Sequence, residues 1–123
     1  MRYVIVSVVD KDAGDFNNNL RKDVFYKFKA KSSKLPAHFT IKSPFEADNI
    51  DDLSKLPYIN FNDKDGKDKI FHVTISSKKI QPIFSELWNY VLQYPCDFNC
   101  EFDNVAVFKW VDNTWILYKQ FFF

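Results

Sequence analysis

Glycine is nearly absent from this chain, with two in 123 residues. Tight turns must therefore be built from Asn, Asp and Pro. Cysteine is equally scarce: Cys96 and Cys100 are too few for a disulfide framework, and the expectation is reduced thiols in a cytosolic protein. Neither sign of charge is in excess, since 17 basic and 16 acidic residues leave a net charge of +1. That balance argues against a broad basic surface for long duplex nucleic acid and leaves room for a small local phosphate site. No apolar run approaches the ~18 residues of a membrane span. Met1-Arg2-Tyr3 leads straight into a strand pattern with no signal-peptide signature. A cytoplasmic setting with no membrane partner is expected.

What is present is aromatic. Rings make up 19% of the residues, fourteen of them Phe, which predicts a core filled by rings. The length fits a single domain over residues 1–123.

Periodicity outlines the elements. Residues 3–9 are apolar nearly throughout and predict a buried strand. Phe16, Leu20, Val24 and Phe28 recur at helical spacing, predicting a helix over residues 16–29 with Asp15 as N-cap. A linker leads to a strand over residues 37–43, ended by Pro44. A short helix over 47–56, a strand over 58–61 and a polar turn over 63–69 follow. That turn lacks the ligand count of a calcium loop. A second strand is predicted over 69–76, and an amphipathic helix over 80–94 with Pro82 in its first turn. Its stripe is Ile80, Ile83, Phe84, Leu87, Trp88 and Val91. Strands over 98–111 and 115–123 flank Asp112-Asn113-Thr114, predicting a hairpin. The fold class is α+β, with antiparallel-rich sheets and flanking helices.

One pattern occurs twice. The only two histidines stand in His38-Phe39-Thr40-Ile41 and His72-Val73-Thr74-Ile75, which use two of the three threonines. On a strand, His38, Thr40 and Lys42 share one face, as do His72, Thr74 and Ser76. If the two faces converged, the imidazoles could flank a phosphorus as general acid and base. The threonine hydroxyls could then donate to its non-bridging oxygens. Lys42 is a further candidate to hold a phosphate, and Tyr118 to stack a base or donate to phosphate. Lys78 and Lys79 belong either to the rim of such a cleft or to the solvated surface. A zinc site normally takes three or four protein ligands. Cys96 and Cys100, four residues apart on a strand, would stand about 13 Å apart, so neither metal nor cofactor is expected.

The two H-x-T-hydrophobic motifs resemble those of the two-histidine (2H) phosphoesterase superfamily, which includes bacterial 2′-5′ RNA ligases and cyclic phosphodiesterases. The opening MRYVIVSVV, the helix before the first motif, the stretch LPAHFTIKSPFE and the C-terminal hairpin carrying WILY are similar too. The resemblance implies a bilobal 2H phosphoesterase-like fold with both motifs in one cleft. It also implies metal-independent chemistry on 2′,3′-cyclic or 2′-5′ phosphodiesters of RNA ends or small nucleotides. His38 and His72 would be the catalytic acid–base pair, and Thr40 and Thr74 the phosphate-oxygen donors. The motifs stand 34 residues apart, from His38 to His72, about half the family's usual separation. Either a shortened central lobe or a missing segment accounts for that spacing. The alternative function is a nucleotide- or RNA-end-binding module with little turnover. The direction of the reaction and the oligomeric state stay open.

Overall fold

The computed structural model describes residues 1–48 and 72–123. The predicted strand at 58–61 and turn at 63–69 lie outside these residues, as does the predicted helix at 47–56 except for the irregular Ala47 and Asp48. The described elements make an α+β fold with a four-stranded antiparallel sheet and two helices.

β1 (Arg2–Val8) is the run of β-branched residues, and Tyr3 through Ser7 are all buried. Such a run suits a strand with both faces covered. It lies inside the sheet, whose order is β2-β1-β3-β4, with β2 spanning His38–Glu46, β3 Asn104–Val111 and β4 Thr114–Phe122. β1 pairs antiparallel with β3, Tyr3 facing Lys109 and Val6 facing Ala106.

β3 and β4 form the predicted hairpin, closed by Asp112 and Asn113 at φ 49° and 64°. Two central residues at positive φ make the primed turn whose twist matches the strands. With glycine so scarce, Asp and Asn take the left-handed positions, which they tolerate better than other side chains. β3 begins at Asn104 rather than at residue 98, because residues 95–103 are irregular.

Pro44 does not end β2, which continues to Glu46. β2 is an edge strand, so a residue without an N–H can face outward there without breaking a ladder.

The chain divides into two compact units. The first takes in the described residues of Met1–Ser7, Phe39–His72 and Asp103–Phe123. Its core is Tyr3, Ile5 and Val107, with Ile41, Phe45, Val105 and Tyr118 packed against them. The opposite sheet face carries Val4, Val6, Ala106 and Phe108, all buried. Phe121, Phe122 and Phe123 are exposed and outside the core.

The second unit takes in Val8–His38 and Val73–Phe102. α1 (Lys11–Phe28) supplies Leu20 and Val24, which join Ala30 and Leu87 in a core flanked by Phe16 and Phe28. These are the four apolar positions predicted for the helix face. The helix starts earlier than predicted, with Asp10 rather than Asp15 at its N-cap, and Gly14 N–H already bonds Asp10 C=O at 3.1 Å. Gly14 permits this, since a Cβ there would collide with the Val9 carbonyl. At the other end Lys29 takes the left-handed cap, φ 58°, and its N–H bonds Phe25 C=O.

A 3₁₀ turn, Gln81–Ile83, leads into α2 (Phe84–Val91), and Pro82 sits at its start as predicted. Ile80, Ile83, Leu87 and Val91 face the core, but Phe84 and Trp88 do not. Those two rings are half-exposed and stack on each other at 5.9 Å. Only one edge of the predicted stripe meets the core, and Phe84 and Trp88 cover each other instead. No helix among the described residues is long and apolar enough to cross a membrane.

The second His-Thr segment departs most from expectation. Residues 72–76 form no strand. Ile75 instead packs with the α1–α2 core, and the Ser76 hydroxyl donates to Lys31 C=O at 2.7 Å. These ties draw the segment onto the helices rather than into a ladder.

Candidate functional site

His38 is the first residue of β2 and half-buried, with Nδ1 2.7 Å from Pro36 C=O. A carbonyl only accepts, so Nδ1 carries the proton and Nε2 the lone pair in the neutral ring.

The chain entering His38 is held from both sides. Ala37 is buried, its N–H donates to Asn18 Oδ1 at 3.0 Å, and its C=O accepts from Val9 N–H at 2.8 Å. Asn18 is itself oriented by Arg21 Nη2, while Arg21 Nη1 donates to Leu35 C=O at 2.9 Å and Ser33 C=O at 3.4 Å. Burial lowers the Arg21 pKa from its ordinary value. Guanidinium still stays charged, and its planar fork suits several carbonyl acceptors at once. The ring of contacts thus ties α1 to the 33–37 linker and sets where β2 begins.

Beside it an open groove of about 440 Å³ is lined by Arg21, Lys22, Phe25, Ser32, Ser33 and Pro36, with Asn18 at its wall. Neither Asn18 nor Arg21 stands out in the sequence by residue type. The signal that could have found the pair is its i,i+3 spacing, which stacks Asn18 and Arg21 on one helix face.

Thr40 follows His38 by two residues on β2 and is half-buried, so the strand's alternation sets both on one face. Lys42, at the next such position, is only 5% exposed, with Nζ 5.7 Å from the Phe45 ring centroid. Its stem packs inward beside an aromatic face, a cation–π arrangement.

Tyr118 occupies a β-bulge: Val107 faces Lys119 while Phe108 faces Leu117. Its ring packs on Tyr3 at 6.1 Å, with Lys109 Nζ at 5.1 Å and Lys119 Nζ at 5.5 Å from its centroid. Tyr118 is therefore a core ring rimmed by two cations.

His72 is exposed and Thr74 half-buried, both on the irregular segment. By unit, Thr40 and His72 belong to the first and His38 and Thr74 to the second. Cys96 and Cys100 are exposed thiols in the irregular stretch 95–103 rather than on a strand. Among the described residues no group of three or more His, Cys, Asp and Glu could hold a metal ion.

No family model matches the chain, and no curated protein matches it.

Proposed function

We propose that the chain is a two-histidine phosphoesterase acting on 2′,3′-cyclic or 2′-5′ phosphodiesters of RNA ends or small nucleotides, without a metal. The observation that carries this reading is the repeated His-x-Thr-Ile, with both histidines and two of three threonines in it. Opening a cyclic phosphate needs one imidazole to take a proton from the attacking water. The other gives a proton to the departing ribose oxygen, leaving a phosphomonoester. Thr40 and Thr74 hydroxyls donate to the non-bridging oxygens as charge builds on them. The local geometry of His38 supports this use. A ring nitrogen held by a backbone carbonyl fixes the tautomer, with the proton on Nδ1 and the lone pair on Nε2.

A second reading has its own support. Residues 72–76 lack the strand that would aim His72 and Thr74 along one face, which favours a nucleotide- or RNA-end-binding module with little turnover. Hydrolysis of a 2′,3′-cyclic mononucleotide by the purified chain and by His38→Ala and His72→Ala separates the two. The enzymatic reading expects each variant to lose at least about a hundredfold in kcat/KM while binding changes by less than about tenfold. Turnover that survives removal of both histidines would end it.

A further inference from the structure

We propose that a groove at the C-terminal end of α1 binds a nucleoside di- or triphosphate, at a site that includes none of the His-Thr residues. The proposal stands apart from the phosphoesterase reading. Among the described residues the groove, about 560 Å³, is lined by Lys29, Lys31, Lys78 and Lys79 and by no carboxylate. Phe28, Pro82 and Ile83 give it an apolar wall. A chain with net charge +1 has four lysine residues along one cavity. An anion of clustered charge is attracted to such a gathering of lysines.

The cavity falls within the size range of small-ligand sites. A diphosphate brings about three negative charges into a space where a nucleic-acid strand, with one charge per phosphate, would bring fewer. Lysines bind phosphate as compact point charges. The apolar wall suits the uncharged part of the ligand.

The site is built rather than incidental. Ser76 Oγ bonds Lys31 C=O at 2.7 Å, clasping together the two segments that carry the lysines. Ile80 and Ile83 pack in the same core as Ala30 and Phe28. Lys29 and Lys79 hold left-handed backbones, φ 58° and 54°, where glycine would sit without strain. Strain of this kind collects at ligand sites. Lys29 Nζ donates to Tyr26 C=O at 3.1 Å and lies 5.2 Å from the Tyr26 ring centroid.

Calorimetric titration of the full chain with ADP at low salt tests the proposal. The double variant Lys29→Gly/Lys79→Gly removes two charges and relieves both left-handed positions, so it should fold at least as well. Its ADP affinity is expected to fall by about tenfold or more, as is that of Lys31→Gln/Lys78→Gln. Inorganic pyrophosphate should bind about fivefold or more weakly than ADP, because it cannot use the apolar wall. His38→Ala/His72→Ala should keep wild-type ADP affinity, which separates this site from the His-Thr residues. No ADP binding by the wild type, unchanged affinity in both lysine variants, or tighter binding of a 5′-hydroxyl RNA tetranucleotide than of ADP would each overturn it.

Discussion

Asn18 Oδ1 accepts the backbone N–H of Ala37 at 3.0 Å, so a helix side chain fixes the residue that immediately precedes His38. The partner it holds is buried, and a buried N–H left without an acceptor costs about 1–3 kcal/mol. Asn18→Ala is expected to lower stability by that amount in urea denaturation, while Asn18→Asp, which keeps an acceptor oxygen, should lose less. Equal losses in the two variants would show that the Asn18–Ala37 bond contributes nothing particular.

Gly14 is the point where the first turn of α1 meets Val9, the residue just after β1. In an exposed helix, Gly→Ala stabilises by roughly 1 kcal/mol. Here the added Cβ would collide with the Val9 carbonyl, which is backbone and cannot swing away. The expected sign is reversed: Gly14→Ala should destabilise by about 1–3 kcal/mol, the usual range for overpacking. An unchanged or raised denaturation midpoint would contradict the contact.

Lys29 caps α1 in a conformation that an L side chain adopts at a cost of about 1–2 kcal/mol. Glycine avoids that strain but has more freedom to lose on folding. Lys29→Gly is therefore expected to gain roughly 0.5–1 kcal/mol, since the bond from Nζ to Tyr26 C=O that it gives up is exposed. Lys29→Ala should gain nothing, because alanine keeps the Cβ.

Tyr90 gives a pH-dependent signature. Its phenol is raised above the ordinary 10.0, first by a hydrogen bond with Tyr94, then by burial and by the charges of Tyr94 and Asp23. The folded chain therefore holds this proton more tightly than the unfolded chain. The resulting stability is full below pH ~10 and is lost as pH rises through the folded value. Tyrosine-ring NMR should show Tyr90 titrating later than free tyrosine, and Tyr94→Phe should bring it back down. If Tyr90 titrates normally in the wild type, the Tyr90–Tyr94 bond is absent.

Much of the fold was legible because it depends on neighbours in the chain. The β-branched run of β1, the i,i+4 apolar face of α1 and the Asp112-Asn113 turn each follow from local sterics and periodicity. Pro44 misled because its effect depends on strand position, and the edge place of β2 is set by β1 and β3, far away in sequence. The pattern around Thr74 and Ser76 alternates like a strand, yet packing of Ile75 on the helices and the Ser76–Lys31 bond prevail. Of the candidate site, the repeated histidines and threonines were visible as residue types. Asn18 and Arg21 were not, because their partners lie in the 33–37 linker, 12 to 19 residues away.

By itself, then, the sequence determined which segments become β1, α1 and the β3–β4 hairpin, and which residue types are available for chemistry at positions 38, 40, 72 and 74. Tertiary structure alone decided that Lys42 is buried beside Phe45, that Ala37 is clamped by Val9 and Asn18, and that Lys29, Lys31, Lys78 and Lys79 line one cavity. The physical reason is range. Propensity and periodicity act over a few residues, whereas burial, hydrogen-bond closure and the gathering of like charges depend on segments that only folding brings together.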